Sequence, residues 1–363
     1  MRQWAMREWG EQGPDGRSIV MRPGLYGNLA AVAVVVAAIA LIVARNLPGD
    51  SGNQILNVSY DPTRELYQAL NAQFLPLYEQ RTGRRLTIVQ SHGGSSRQAR
   101  SVAGGEQKAD VVTLGLASDI EGLARRGLVA PGWQDRLPNH AQPYSSTIVF
   151  VVRRGNPRAI HDWPDLVRDG VEIVTPDPRS SGNGKLAALA AWGSVVTRDG
   201  TEDAARAYLQ RLYAHAPVLD DGARGAAVTF AVQEQGDVHL TWENEAIREV
   251  AEAGSKLEIV YPPISIRAEP SVAWVDGNVA RDGNLDAARA YLEFLFSDAA
   301  QRTMARLGYR PFRQEALQGA DSTLLPPLTL FPVTAIARDW GDAQQKFFAE
   351  NGIVDTILAG RPR

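Results

Sequence analysis

Three short stretches of small residues lie where the sequence could bind an anion. They are Ser95, residues 181–183 (Ser-Gly-Asn) and residues 222–225 (Gly-Ala-Arg-Gly), each at the predicted start of a helix. The first N–H groups of a helix have no acceptor within the helix, and the helix dipole places about half a positive charge at that end. An oxyanion can therefore bind to these amides without a lysine side chain.

A tryptophan adds a donor of a different kind. Trp242 follows the predicted strand 237–241, and its indole N–H donates a hydrogen bond but cannot accept one. A site made only of donors suits an anion that carries no proton, such as sulfate near neutral pH. Hydrogen phosphate would leave its proton unpaired in such a site, which costs about 1–3 kcal/mol.

Each of these residues also has a purely structural interpretation. Gly and Ser before a helix commonly form only a turn or a cap, and a tryptophan at a strand end is commonly a packing residue. His92 is interpreted as a loop histidine whose hydrogen bonds are satisfied. Arg224 could contact the anion directly, but we favour a bridge to a carboxylate that stiffens its loop.

Composition limits the classes of function. The 363 residues suggest two domains or one large one. A net charge of −3 does not provide the basic surface that nucleic acid requires. Because the chain has no cysteine, it has no disulfide, no thiolate metal ligand and no cysteine nucleophile. We expect no cofactor and no bound metal.

The N-terminus contains an unbroken apolar run at residues 29–44. The run is shorter than the ~20 residues that cross a bilayer comfortably, and it favours the hydrophobic part of a cleaved signal peptide. A retained membrane anchor is the alternative. Residues 1–28 form a polar extension and residues 45–54 a linker, so the remaining chain is predicted to be exported in either case.

Predicted strands alternate with helices along the exported chain. This order predicts an α/β protein with parallel sheets covered on both faces. Asp61 is predicted to cap the first helix, with Pro62 at its first position. The predicted strands are 55–59, 86–89, 109–114, 147–152, 171–175, 237–241 and 272–275.

Two of these strands divide the chain into lobes. The strand near residue 147 crosses from the first lobe to the second, and the segment 265–275 returns. We therefore predict a first lobe of 55–148 and 265–350, a second lobe of 149–264 and a tail of 351–363. Ligands of such sheets bind beyond the carboxyl ends of the strands, which predicts a cleft between the lobes.

Several sequence strings, taken together, indicate a family more specifically than any single motif. It resembles the periplasmic sulfate-binding proteins of sulfate/thiosulfate ABC importers from about residue 55 to about residue 348. The strings that carry the resemblance are NVSYDPTRELY (57–67), QSHGGSSRQA (90–99), PYSSTIVFVVRRGNP (143–157), TPDPRSSGNGK (175–185), VLDDGARG (218–225) and TWENEA (241–246).

The resemblance implies a two-lobed, type II periplasmic-binding-protein fold that closes around one sulfate ion. It also implies that Asp61 and Arg224 belong to a charge network around the anion. The residues implied to bind sulfate are Ser95, Ser181, Gly182, Asn183, Ala223 and Trp242.

The chain departs from the family at four positions. Asp177 and Arg179 stand for the family's asparagine and lysine, Asn183 for a glycine, and Lys185 for an arginine. The backbone amide of Asn183 survives the change. Asp177 adds a carboxylate near the cleft, and Lys185 cannot form the two-pronged contact of an arginine.

The implied function is extracytoplasmic sulfate binding and delivery to the membrane permease of an ABC importer, by a monomer that is not an enzyme. Thiosulfate or another tetrahedral oxyanion, such as molybdate, is the alternative ligand. Two other classes are a membrane-tethered anion sensor and an exported hydrolase that uses His92. The hydrolase lacks a G-x-S-x-G motif.

Overall fold

The computed structural model describes residues 53–317 and 325–360. The predictions for the extension 1–28, for the signal or anchor 29–44 and for nearly all of the linker lie outside these residues. Among the described helices, none is both long and apolar enough to span a bilayer.

Short strands, mostly rich in β-branched and aromatic residues, alternate with the helices. In chain order they are β1 Gln54–Tyr60, β2 Thr87–Gly93, β3 Val111–Leu114, β4 Tyr144–Ser145, β5 Ile148–Arg153, β6 Ile173–Pro176, β7 Leu219–Asp220, β8 Val238–Trp242, β9 Leu257–Val260, β10 Ile264–Ile266, β11 Ser271–Trp274, β12 Arg310–Pro311 and β13 Thr329–Phe331.

The helices of five or more residues lie between and after these strands. They are α1 Arg64–Thr82, α2 Ser95–Ala103, α3 Ala117–Ala124, α4 Gly182–Val196, α5 Glu202–Ala214, α6 Ala223–Ala227, α7 Glu243–Ala253, α8 Asp276–Asp282, α9 Leu285–Phe294, α10 Asp298–Arg306 and α11 Ile353–Ala359. Two four-residue helical turns, Pro138–Ala141 and Trp340–Ala343, two π-helical turns, Val228–Val232 and Gln344–Phe348, and several 3-10 turns complete the described part.

Two main sheets hold nine of the thirteen described strands, and both are mixed; the pairs β10-β13 and β12-β4 form two small sheets. The first has the order β11-β3-β1-β2 and the second the order β7-β6-β8-β5-β9. β1 is parallel to β2 and β3, but β11 is antiparallel to β3. β5 is antiparallel to both β8 and β9. The predicted parallel sheets are therefore wrong at the strands where the chain enters or re-enters a sheet without a helical crossover.

Strand β5 lies between β8 and β9 in the second sheet and is apolar on both faces. Val149, Phe150 and Val151 are fully buried. The ring of Phe150 meets Trp163 edge-on with centroids 4.9 Å apart. Residues 54–114 and 271–274 supply the strands of the first sheet, and residues 148–260 those of the second. The exact lobe boundaries stay a prediction.

The start of the first helix differs from the prediction. Asp61 opens a 3-10 turn, Asp61–Thr63, and its side chain caps no backbone amide. Helix α1 begins only at Arg64. The side chain of Asp61 lies instead beside Gly222, where a Cβ would collide with its Oδ2 atom. Contact with the second lobe therefore overrides the local capping preference.

Candidate anion-binding site

The starts of two helices from different sheets face each other. Ser95 is the first residue of α2 and Gly182 the first residue of α4. A Cβ atom at Gly182 would lie only 3.1 Å from the Cβ of Ser95. The unpaired amides of both first turns therefore converge on one place between the lobes.

The loop before α2 touches the second lobe with its backbone. A Cβ atom at Gly94 would lie 2.5 Å from the carbonyl oxygen of Ser180 and 3.1 Å from that of Asp221. The amide of Arg97 donates to the same Ser180 oxygen at 3.3 Å. Only glycine allows this approach, and the cleft is closed in this structure.

A third helix start completes the set of amides. Ala223, the first residue of α6, is buried and follows Gly222. A Cβ atom at Gly222 would lie 3.9 Å from the amide nitrogen of Gly94. The start of α6 therefore lies beside the loop that leads into α2.

Trp242 brings its indole to the same region. A Cβ atom at Gly115 would lie 3.4 Å from Cζ2 of Trp242 and 3.6 Å from the Cβ of Ser95. The tryptophan ring lies 5.3 Å from the ring of Tyr60, measured between centroids. Trp242 is fully buried, and its Nε1 atom has no hydrogen-bond partner within the described residues. A buried donor without an acceptor is costly, and a bound acceptor would remove that cost.

The hydroxyl groups of Ser95 and Ser181 make different hydrogen bonds. Oγ of Ser95 donates to Oδ2 of Asp119 at 2.6 Å and accepts from the Gly115 amide at 3.0 Å. Ser95 can therefore offer only its amide to an anion. Oγ of Ser181 accepts from the Gly184 amide at 3.4 Å as the N-cap of α4. Capping uses a lone pair, so the O–H of Ser181 remains free to donate.

The side chain of Asn183 makes its own hydrogen bond and does not involve the backbone amide of the residue. Its Nδ2 atom donates to the Leu240 carbonyl at 3.1 Å, on strand β8. Asn183 is buried at the second position of α4. Its backbone N–H belongs to the first turn, so the replacement of the family's glycine leaves this donor in place.

The charged residues around these amides are close to residues of opposite charge. Arg224 binds Glu65 across the cleft at 2.5 Å and lies 3.4 Å from Oε2 of Glu245 in its own lobe. Burial raises the pKa of Asp61, while Arg64, Arg97 and Arg224 oppose that rise. Arg224 therefore bridges carboxylates of both lobes.

The other departures from the family bind local partners. Asp177 pairs with Arg179 at 2.6 Å within their own loop, so the extra carboxylate is neutralised by the second changed residue. Nζ of Lys185 donates to Gln344 at 2.8 Å and lies 3.7 Å from Asp119. Burial lowers the pKa of Lys185.

The sequence interpretation missed residues that act through contacts between lobes. Asp119, which holds the Ser95 hydroxyl, and Tyr60, which packs on Trp242, were not singled out. The paired glycines of the QSHGGSS string were a usable signal, since glycine marks close backbone approach. His92 lies on β2 rather than in a loop, with Nδ1 3.3 Å from the Tyr60 carbonyl.

Fold and site together define a class of protein. Residues 63–310 match the family described as bacterial extracellular solute-binding proteins, and the chain belongs to that family. The predicted type II periplasmic-binding-protein fold is confirmed. Within the described residues, no group of three or more His, Asp or Glu side chains could hold a metal ion.

Individual relatives indicate which solute-binding proteins the chain is similar to. The chain is 45% identical to the sulfate-binding protein of Escherichia coli over 306 residues, which are 84% of this chain and 92% of the relative. It is 44% identical to the thiosulfate-binding protein of Pseudomonas aeruginosa over 310 residues, with the same coverage of the two chains. The sulfate-binding protein SubI from Mycobacterium tuberculosis has a similar structure, with a TM-score of 0.73, 30% identity and coverage of 82% of this chain and 99% of that one. The predicted resemblance is confirmed.

Proposed function

We propose that this protein binds sulfate outside the cytoplasm and delivers it to the membrane permease of an ABC importer. The observation that carries the proposal is the indole of Trp242, a fully buried donor without an acceptor in the described residues. It lies beside the converging starts of α2 and α4. Sulfate offers four acceptor oxygens to such a set of donors.

The proposed ligand contacts are the amides of Ser95, Gly182, Asn183 and Ala223, the hydroxyl of Ser181 and the indole N–H of Trp242. Charge-assisted hydrogen bonds contribute about 1.5–3 kcal/mol each before dehydration of the anion is subtracted. Part of that sum is enough for a micromolar dissociation constant, which corresponds to about −8 kcal/mol.

The same donors select against hydrogen phosphate. Asp119 is the carboxylate nearest to the start of α2, and it already accepts hydrogen bonds from the hydroxyls of Ser95 and Ser96. A ligand that must donate a proton would compete with these bonds. Sulfate has no proton to donate near neutral pH, so it binds without that penalty.

Thiosulfate is the second candidate ligand. It is also a dianion without a proton, and a relative that is 44% identical is named a thiosulfate-binding protein. The same donors can bind its three oxygens, whereas its terminal sulfur is larger and a weaker hydrogen-bond acceptor. Direct competition between the two anions decides which is preferred.

The protein acts by binding alone and has no catalytic step in this proposal. We expect a periplasmic monomer, exported by the apolar segment 29–44 acting as a signal peptide, with retention as an anchor as the alternative. The permease recognises the closed form, in which the two lobes meet at Gly94 and Ser180. A tethered anion sensor would bind the same ligand without transport.

Calorimetric titration of the purified exported chain with sulfate, thiosulfate and phosphate tests the proposal. We expect saturable one-to-one binding of sulfate, displacement by thiosulfate and no displacement by phosphate. Binding of phosphate in competition with sulfate would contradict the donor-only site. Absence of binding of all three anions would overturn the proposed function.

A further inference from the structure

A second pocket lies next to the candidate anion-binding site. It is a cavity of about 390 Å³ between α2, α3 and the first turn of α4, with Gln344 from the C-terminal part at its edge. Ser96 and Asp119 belong to its lining, so it begins one residue away from Ser95. Its volume lies within the ~300–1,000 Å³ typical of small-molecule sites.

Positive charge dominates this pocket. Arg100, Arg125, Arg126 and Lys185 line it, against the single carboxylate of Asp119. Asp119 already accepts the hydroxyls of Ser95 at 2.6 Å and Ser96 at 3.0 Å. The pocket therefore carries an excess of positive charge in a protein whose net charge is −3.

Two of the guanidinium groups are free to bind a ligand. Arg125 and Arg126 are exposed and follow the end of α3, and their side chains make no ion pair or hydrogen bond to any described residue. Most other arginines of the described part, such as Arg179, Arg248 and Arg310, bind a carboxylate. A planar guanidinium presents paired donors that match the oxygens of a phosphate group.

Lys185 supplies a buried charge at the inner wall. The residue is 5% exposed, and its Nζ atom donates to the neutral Gln344 at 2.8 Å and forms a longer ion pair with Asp119 at 3.7 Å. A buried ammonium needs close compensation of its charge. An anion in the pocket would add to the compensation that Asp119 provides, because Asp119 also accepts hydrogen bonds from Ser95 and Ser96.

We propose that this pocket binds a small polyanion with two or more phosphate or equivalent oxyanion groups. The free guanidinium groups at the mouth and the ammonium at the inner wall can each take one end of such a ligand. A single tetrahedral ion would fill only part of the cavity. The site is separate from the Trp242 site and does not depend on the proposed sulfate binding.

Inorganic pyrophosphate is the probe for this site, titrated calorimetrically at constant ionic strength into the full exported chain. One arm uses the protein alone, and a second arm uses protein that holds one equivalent of sulfate. We expect one saturable pyrophosphate site in both arms. The double variant R125Q/R126Q should bind pyrophosphate at least tenfold more weakly, because it removes both free guanidinium groups.

The control variant R206Q/R211Q removes the same charge from the exposed face of α5 and should bind pyrophosphate like the wild type. An equal loss in both double variants would reduce the effect to net charge and overturn the proposal. So would pyrophosphate that is displaced by one equivalent of sulfate, or that does not bind. If the wild type bound pyrophosphate but did not bind sulfate, that result would contradict the proposed function and leave the polyanion site standing.

Discussion

At the scale of single residues, Trp242 is a fully buried donor of the candidate site that has no acceptor among the described residues. The substitution Trp242→Phe keeps an aromatic ring beside Tyr60 but removes the N–H. We expect sulfate affinity to fall by about 1–3 kcal/mol, or about five- to 150-fold, because one donor to a charged ligand is lost. Calorimetry measures the change directly.

Trp163 provides the matched control for this variant. It is as deeply buried as Trp242, but its Nε1 atom donates to the Ile264 carbonyl at 2.7 Å. Trp163→Phe should lower the free energy of unfolding and leave sulfate affinity unchanged. Equal sulfate affinity in Trp242→Phe and the wild type would remove Trp242 from the proposed site.

His92 gives a prediction for pH. Burial lowers the pKa of His92 from about 6.5 to about 4. Between these values the unfolded chain binds the proton and the native protein does not, so stability falls as pH falls from 6.5 towards 4. His92→Asn abolishes this loss, and the variant should gain about 1–3 kcal/mol on the wild type between pH 7 and pH 4.5.

Urea unfolding of both proteins at the two pH values measures that difference. Other groups titrate in both proteins, so the difference isolates His92. His161→Asn, at an exposed position, should follow the wild type. A constant difference between His92→Asn and the wild type across this range would contradict the prediction.

The candidate site residues could be predicted because each lies in a local string. Ser95, Ser181 and Ala223 were predicted because each lies in a stretch of small residues between the end of a strand and the start of a helix. Asp119 and Tyr60 could not be predicted in the same way, because their importance comes from partners far away in sequence. Asp119 acquires its role only when α2 and α3 pack together and bring Ser95 within 2.6 Å.

At the scale of elements, helix α6 allows a test of the amide itself. Ala223 is the first residue of α6, and Gly222 before it has an extended backbone (φ −162°, ψ 173°). Proline is tolerated at this position and requires an extended residue before it. Ala223→Pro should therefore remove one N–H from the site and leave the helix intact.

We expect Ala223→Pro to weaken sulfate binding by about 1–3 kcal/mol, since a donor to a charged ligand is lost. The control is Glu202→Pro, at the first position of α5 after the extended residue Thr201. It should bind sulfate like the wild type. Circular dichroism verifies the helix content of both variants, and unchanged sulfate affinity in Ala223→Pro would exclude this amide as a ligand.

The elements were predicted unevenly. Seven of the nine strands in the two main sheets were predicted to within a few residues, because their apolar runs are short and bounded by turns, but β7 and β9 were missed. Helix α5 was missed, although Ala205, Tyr208, Leu209 and Leu212 have the spacing of a buried helical face. The direction of β11 was wrong, because strand direction depends on the path of the whole chain rather than on the strand's own residues.

At the scale of the whole molecule, the two lobes meet through backbone atoms as well as side chains. Arg97 binds Asp221 at 3.1 Å, and Arg100 donates to the Arg179 carbonyl at 3.1 Å. The ion pair is exposed, and exposed pairs contribute only about 0–1 kcal/mol each. The proposed ligand would contact the helix starts of both lobes at once and would add to the buried Lys185–Asp119 pair and the Arg224–Glu65 pair in stabilising the closed form.

Gly94 is the position where this closure can be blocked. A methyl group there would press against the backbone oxygens of Ser180 and Asp221, neither of which can rotate away. Gly94→Ala should keep each lobe folded but hold the cleft open. Because the open form offers only part of the donor set, sulfate affinity should fall at least tenfold, or about 1.4 kcal/mol.

Small-angle X-ray scattering with and without sulfate distinguishes blocked closure from a damaged fold. Sulfate should reduce the radius of gyration of the wild type and leave that of Gly94→Ala unchanged. Gly277→Ala is the matched control, because a Cβ atom there meets nothing within 4 Å; it should close and bind like the wild type. If Gly94→Ala closed on sulfate as the wild type does, the backbone contact at Gly94 would not limit closure, because the loop before α2 would have moved to make room for the methyl group.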